Sequence, residues 1–241
     1  ITSNKTITYN EGTTFNVTSL VGGTFNNKQT LANTTTAGLV FNIGAATVSS
    51  TVGLNLSGVI YGTSGFTKTG NGILQISANN FSDVHDAFTG INKTPTLLGQ
   101  IQVNGGVLYV GGSRALGAFG VGNETIVGSG ASLDLRGNGL NLGDDSTPVR
   151  EIIQIQGTGF NNTGALRNTT GTGTISFLTL DGHATINSGG TANSSALQIA
   201  TFDTNLANGN SVSSNSFTRN QPVIEGNGFD LTLTGGRNGT D

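Results

Sequence analysis

An all-β protein built as a stacked parallel β-solenoid is expected from the sequence, on three grounds. Helix formers are scarce, short segments alternate apolar and polar residues with period two, and the apolar segments recur along the chain at a nearly regular step. Of 241 residues, 39 are Gly, 36 Thr, 28 Asn and 20 Ser, whereas charged residues make up only 10%. Gly, Asn, Thr and Ser all compete poorly in helix interiors, so an all-α fold is excluded. Uncharged hydrogen-bonding side chains take the place of the usual Lys and Glu surface.

The alternation is clearest at Leu54-Asn55-Leu56, Ile101-Gln102-Val103, Leu133-Asp134-Leu135, Ile153-Gln154-Ile155 and Leu231-Thr232-Leu233. Each reads as a half-buried strand with one face inward. Between them stand Gly70-Asn71-Gly72, Gly128-Ser129-Gly130, Gly137-Asn138-Gly139 and Gly226-Asn227-Gly228, which supply the backbone freedom of tight turns. Central residues of strong runs, Leu74, Val103, Val127, Ile153, Leu178, Ile199 and Ile224, follow one another at 21 to 29 positions. Three strands of about five residues joined by short turns give a coil of roughly 20–27 residues. About ten such coils, stacked at about 4.8 Å, would make a rod near 50 Å long. A β-sandwich is the competing all-β architecture, but obvious two-residue hairpin turns within strong alternation are few.

Stacking lends the polar residues a role. Asn and Thr at equivalent turns can hydrogen-bond to the next coil, or can simply be surface turn residues. The 12 Phe, spread from Phe15 to Phe229, could fill the interior as stacked rings.

Composition also bounds function. With no Cys there is no disulfide scaffold, thiolate nucleophile or thiolate metal site. A net charge of −3 removes the attraction that nucleic-acid binding needs. No run approaches the roughly 18 apolar residues of a membrane-spanning helix, and the absence of Trp argues against the aromatic girdles of a transmembrane barrel. The chain starts at Ile1 without a basic and apolar leader, so a processed or excised piece is expected.

Catalytic constellations are weak. Asp83, His85 and Asp86 place three potential ligands within a four-residue stretch, a loop able to hold a metal or simply to be solvated. His183, in Asp181-Gly182-His183, reads as a turn residue. Asp144-Asp145 near Arg150-Glu151 is the densest charge cluster. Paired carboxylates there could bind calcium or act as acid and base on a glycoside, but Asp, Ser and Pro in that stretch already account for a turn. No catalytic, cofactor-binding or metal residue is therefore assigned.

The segment Gly65-Phe66-Thr67-Lys68-Thr69-Gly70-Asn71-Gly72-Ile73-Leu74-Gln75-Ile76-Ser77-Ala78-Asn79-Asn80 resembles the autotransporter-associated β-strand repeat of bacterial surface proteins. Its second half looks like Gly99 to Leu108, after an insertion over about Phe81 to Leu98. Gly157 to Phe160, Gly164-Ala165-Leu166-Arg167-Asn168 and Leu178 to Leu180 look like segments between such repeats, and Phe229 to Gly235 looks like a lead-in to another copy. The resemblance covers residues 65–241 in outline, with 1–64 forming N-terminal coils of the same single segment. It implies a right-handed parallel β-helix exported to the bacterial surface, non-enzymatic, and acting as adhesin passenger, spacer or filament unit. The partner would be a protein or glycan on a neighbouring surface, or another copy joined through coil edges; the native chain would continue or stack end to end. The alternative is a secreted β-helix enzyme acting on polysaccharide through Asp144 and Asp145, with Tyr9, Tyr61 and Tyr109 as the remaining sugar platforms.

Overall fold

A computed structural model describes residues 6–18, 23–45, 51–86, 90–140, 151–189, 196–199 and 223–235, with the backbone path alone at 82–86, 90–93 and 223. The first strands are β1 (Ile7–Asn10), β2 (Thr13–Val17) and β3 (Gly23–Phe25), followed by β4 (Gln29–Ala32), β5 (Leu39–Ile43), β6 (Val52–Leu56), β7 (Ile60–Gly62), β8 (Phe66–Thr69) and β9 (Ile73–Ile76). Next come β10 (Phe81–Asp86), β11 (Gly90–Pro95), β12 (Ile101–Val103), β13 (Gly106–Val110), β14 (Thr125–Val127) and β15 (Ala131–Asp134). The chain then forms β16 (Ile152–Gly157), β17 (Leu166–Arg167), β18 (Thr172–Ile175), β19 (Phe177–Asn187), β20 (Ala196–Ile199), β21 (Val223–Glu225) and β22 (Leu231–Thr234).

These strands fall into parallel ladders visited in rotation. β2, β5, β8, β12, β14, β16, the first half of β19 and β21 form one. β3, β6, β9, β13, β15, β17, the second half of β19 and β22 form another. Pieces of a third are β1, β4 and β7, with a bridge from Gly62 to Leu97, and the pair β18 and β20. An all-β chain with most of its parallel strands in one large sheet is compatible with a β-solenoid, and the first two ladders each contribute one strand to every described circuit.

Register partners measure the circuit directly. Thr13 pairs with Leu39, Ile101 with Thr125, Thr125 with Ile153 and Ile152 with Phe177, so the partners' numbers differ by 26, 24, 28 and 25. On this first ladder two circuits are longer. Phe66 pairs with Ile101, because the antiparallel hairpin of β10 and β11 is inserted between them. Phe177 pairs with Val223, a step of 46. The even spacing of apolar centres in the sequence is thus partly a mixture of ladders. Val103 with Val127, Ile153 with Leu178 and Leu178 with Ile224 are true partners. Leu74, however, pairs with Leu108 on the second ladder and Ile199 with Ile175 on the third.

Inward positions of successive strands stack into one core that includes Leu39, Phe41, Ile43, Leu54, Leu56, Ile60, Phe66, Leu74, Ile76, Ile101, Val103, Leu108, Leu133, Ile153, Leu166 and Leu178. Burial of each such side chain is worth about 1.5–3 kcal/mol. The expected stack of Phe rings is replaced by a compact N-terminal cluster. Tyr9, Phe15 and Phe66 meet Phe41 edge to face at centroid distances of 5.2–6.1 Å, a geometry that aromatic quadrupoles prefer to face-to-face stacking. Beyond Phe66, the core residues named from the later strands are aliphatic.

The second ladder departs from simple alternation. Every residue of β13 and β15 is buried, because their outer face is also covered. Ile73, Val107 and Tyr109 form a small outer cluster under Phe160, and Arg136 lies over the Tyr109 ring at 4.7 Å. Asp134, expected on a wet face, is 0% exposed. At Asp181-Gly182-His183 the sequence suggests a turn, yet these residues lie within β19. There Ile155 pairs with Leu180 but Gly157 with Ala184, so a bulge absorbs the corner while strand pairing continues.

Polar side chains tie the circuits together. Asn42, paired in register with Asn16, donates from Nδ2 to its Oδ1 at 2.8 Å, and Ser77 donates to Asn55 Oδ1 at 2.8 Å. Asn80 is fully buried: its Oδ1 accepts from Ile60 N at 2.8 Å and its Nδ2 donates to Ala115 O at 2.5 Å. Asn168 repeats the device, accepting from Gly137 N and donating to Gly171 O and Ala196 O, each at 2.7 Å. An amide side chain suits this position because it carries both donor and acceptor.

Candidate functional site

The stretch most specific in the sequence, Thr67-Lys68-Thr69-Gly70, sits on β8 and the turn after it. Lys68 pairs in register with Phe41 on one side and Val103 on the other, both fully buried, so its position faces the core. The methylene stem continues that apolar column, and the ammonium reaches the corner. There Nζ donates to Gly105 O at 2.6 Å, Gly70 O at 2.7 Å and Thr69 O at 3.1 Å, matching three N–H donors to three carbonyls. Burial pushes its pKa down to about 7, against carbonyls that favour the ammonium. The neighbouring circuit is shaped to this group. A Cβ on Gly106, which holds φ at +59°, would stand 2.7 Å from Lys68 Nζ and 2.4 Å from Gly72 O. Lys68 is a corner post, closed to solvent.

A second polar cluster lies between β12, β14 and β16. Glu124 Oε2 accepts from Gln100 Nε2 and its Oε1 from Gly122 N, both at 2.8 Å. Partial desolvation raises its pKa, but these hydrogen bonds outweigh it and hold the carboxyl below its ordinary value. One circuit on, Glu151 is 1% exposed, and its Oε1 accepts from Thr125 Oγ1 at 2.6 Å. Among the described residues Oε2 has no hydrogen-bond partner. Burial pushes this carboxyl up to about 8; the Thr125 bond opposes the shift and the Glu124 charge adds to it. Two carboxyls with pKa values moved apart suit acid and base roles in principle, but a side chain sealed from solvent cannot meet a sugar ring.

The third cluster centres on Asp134. Its Oδ2 accepts from Arg167 Nε at 3.1 Å and Thr169 Oγ1 at 2.8 Å, and its Oδ1 from the backbone N–H groups of Arg136 and Thr169. Arg167 and Asn168, part of the segment resembling stretches between repeats, thus serve adjacent circuits as structural ties.

The residues singled out in sequence are not assembled into one site. Asp83, His85 and Asp86 lie on β10, where Asp83 pairs with Lys93, His85 with Ile91 and Asp86 with Gly90 in the backbone register; their side chains lie outside the described residues. Asp144, Asp145 and Arg150 also lie outside them, so of that cluster only Glu151 is placed. His183 Nδ1 stands 3.2 Å from Asp230 Oδ2, with both side chains largely exposed beside Phe229. Of the sugar-platform tyrosines, Tyr9 is buried and donates to Gln29 Oε1 at 2.7 Å, Tyr109 is buried under Arg136, and Lys28 Nζ covers Tyr61 at 4.0 Å. Among the described residues no three His, Asp or Glu side chains come together as a metal site, and no helix is long and apolar enough to cross a membrane.

The described residues also form a shallow open groove of about 200 Å³ at the corner after β9 and β13, lined by Ser77, Ala78, Asn79, Gly112, Ser113 and Arg114. Neither its residues nor the Glu124 and Glu151 pair carries a linear motif, because each is assembled from turns on different circuits. No protein-family model, curated protein or solved structure matches the chain.

Proposed function

We propose that the chain is a right-handed parallel β-helix that acts at or outside the bacterial cell surface as a non-enzymatic passenger, spacer or filament segment. The observation that carries this reading is the use made of the Thr-Lys-Thr-Gly stretch. Its Lys68 is consumed in closing a corner between circuits, with every N–H bonded to a carbonyl, so the motif serves stacking and offers no group to a substrate. Asn80, Asn168 and Asp134 are spent in the same way. A repeated architecture whose distinctive residues are consumed in ties between circuits presents long lateral faces as its working surface. The polysaccharide-enzyme reading draws on Asp144 and Asp145, and the one member of that cluster within the described residues, Glu151, is buried.

Antibody raised against the purified chain tests the location. Labelling of intact cells equal to that of permeabilised cells is expected; labelling only after permeabilisation overturns the surface role.

A further inference from the structure

The groove after β9 and β13 holds a cation, Arg114, that makes no ion pair among the described residues. Its guanidinium lies over the Phe81 ring at 4.8 Å, and Phe81 packs on Phe119 at 5.5 Å. A cation held over a ring face makes no hydrogen bond to it, so this contact consumes none of the five N–H donors of the guanidinium. The backbone beneath is fixed by neighbouring turns: Arg114 O accepts from Asn80 N at 3.2 Å and from Gly117 N at 3.3 Å. A charged fork is therefore presented from this corner, beside the Ser113 hydroxyl, the exposed amide of Asn79, and Ser77 Oγ, which donates to Asn55 Oδ1 and keeps its lone pairs to accept from a sugar hydroxyl.

Room exists over this corner. A Cβ built on Gly112 would meet nothing within 4 Å. The volume of about 200 Å³ lies below the usual range, roughly 300–1,000 Å³, of sites for drug-sized ligands, which suits a single ring. Guanidinium groups pair with planar carboxylates through two parallel hydrogen bonds, while hydroxyl and amide groups match the hydroxyls of a sugar. Ala78, the apolar residue of the lining, is itself buried, so the groove offers no pocket for a peptide side chain.

We infer that this groove binds a uronic-acid residue of an acidic polysaccharide, with Arg114 pairing its carboxylate and Ser77, Asn79 and Ser113 meeting its ring hydroxyls. The inference rests on the surface role proposed above and names its partner, and the two fail separately, since binding is measured on the purified chain and location on cells.

Titration of the isotope-labelled chain with trigalacturonate, followed by amide NMR, tests it. Saturable shifts at Gly112, Ser113 and Arg114 in the millimolar range are expected, with a neutral galactose trisaccharide at least tenfold weaker. Arg114→Gln removes the cation, and Gly112→Leu fills the groove while keeping Arg114; each should weaken binding at least tenfold with circular dichroism unchanged. No saturable shift, equal binding of the neutral sugar, or unchanged binding by either folded variant overturns the inference. Binding of acetyl-Asp-Asp-amide as tight as the uronide overturns it in favour of an acidic peptide.

Discussion

Glu151→Gln is the perturbation that tests the interior most sharply, because it changes one proton's site and almost no volume. In the folded chain burial raises the Glu151 pKa from an ordinary 4.5 to about 8. Between those values the native state binds a proton that the unfolded state has released. Stability therefore falls as pH rises, by about 1.4 kcal/mol per unit, for a total of about 5 kcal/mol that is fully lost above pH 8. Gln retains an acceptor for Thr125 Oγ1 but adds an amide N–H₂ near the position where Glu151 Oε2 has no partner, at a cost of about 1–3 kcal/mol. The variant should then be less stable than wild type by that amount at pH 4.5 and more stable by about 2–4 kcal/mol at pH 8.5. Urea unfolding followed by circular dichroism at several pH values measures this. Taking the difference between the two proteins cancels the titration of every group that does not couple to Glu151, as Glu124 does. A difference independent of pH would overturn this account, since it would mean that Glu151 ionises in the fold as it does in water.

Substitutions at Lys68 and Asn80 probe the corners. Lys68→Ala removes the stem from the column between Phe41 and Val103 and leaves three carbonyls without their shared donor; we expect a loss of about 3–5 kcal/mol in the same unfolding assay. Because the Lys68 pKa is depressed to about 7, its contribution runs opposite to that of Glu151. The unfolded chain binds the extra proton between about pH 7 and 10.5, so wild type should gain on Lys68→Met as pH rises through that window. Asn80→Ala strands Ile60 N and Ala115 O in a buried corner and should cost about 2–4 kcal/mol, whereas the same change at exposed Asn79 should cost under about 0.5 kcal/mol. Equal effects at the two positions would show that the interior amide bonds carry no stability.

Legibility followed the range of the interaction that decided each feature. Leu54-Asn55-Leu56 and Ile153-Gln154-Ile155 declared themselves as strands because alternation is a local consequence of the pleat. Leu133-Asp134-Leu135 has the same pattern, yet Asp134 is buried, because Arg167 and Thr169 of the next circuit close over it. Lys68 was recognisable as part of an unusual stretch, but nothing local says that a lysine faces inward; only its register beside Phe41 and Val103 does. The Arg114 groove left no signal at all, since its two walls come from turns after different strands.

The class of structure follows from composition and pattern without any tertiary information. A chain rich in Gly, Thr and Asn and poor in charge cannot build helices, and its period-two segments must pair as strands. Strand and turn lengths likewise set the simplest circuit at roughly 20–27 residues. Packing settled the rest: which segments are neighbours, where the hairpin of β10 and β11 interrupts the circuit, and which polar groups are sealed inside. Burial and pKa depend on what the adjacent circuits place over a side chain. Those neighbours stand 20 to 47 positions away, as with Leu166 beside Ile186 and Ala184 beside Leu231, outside the reach of any local pattern.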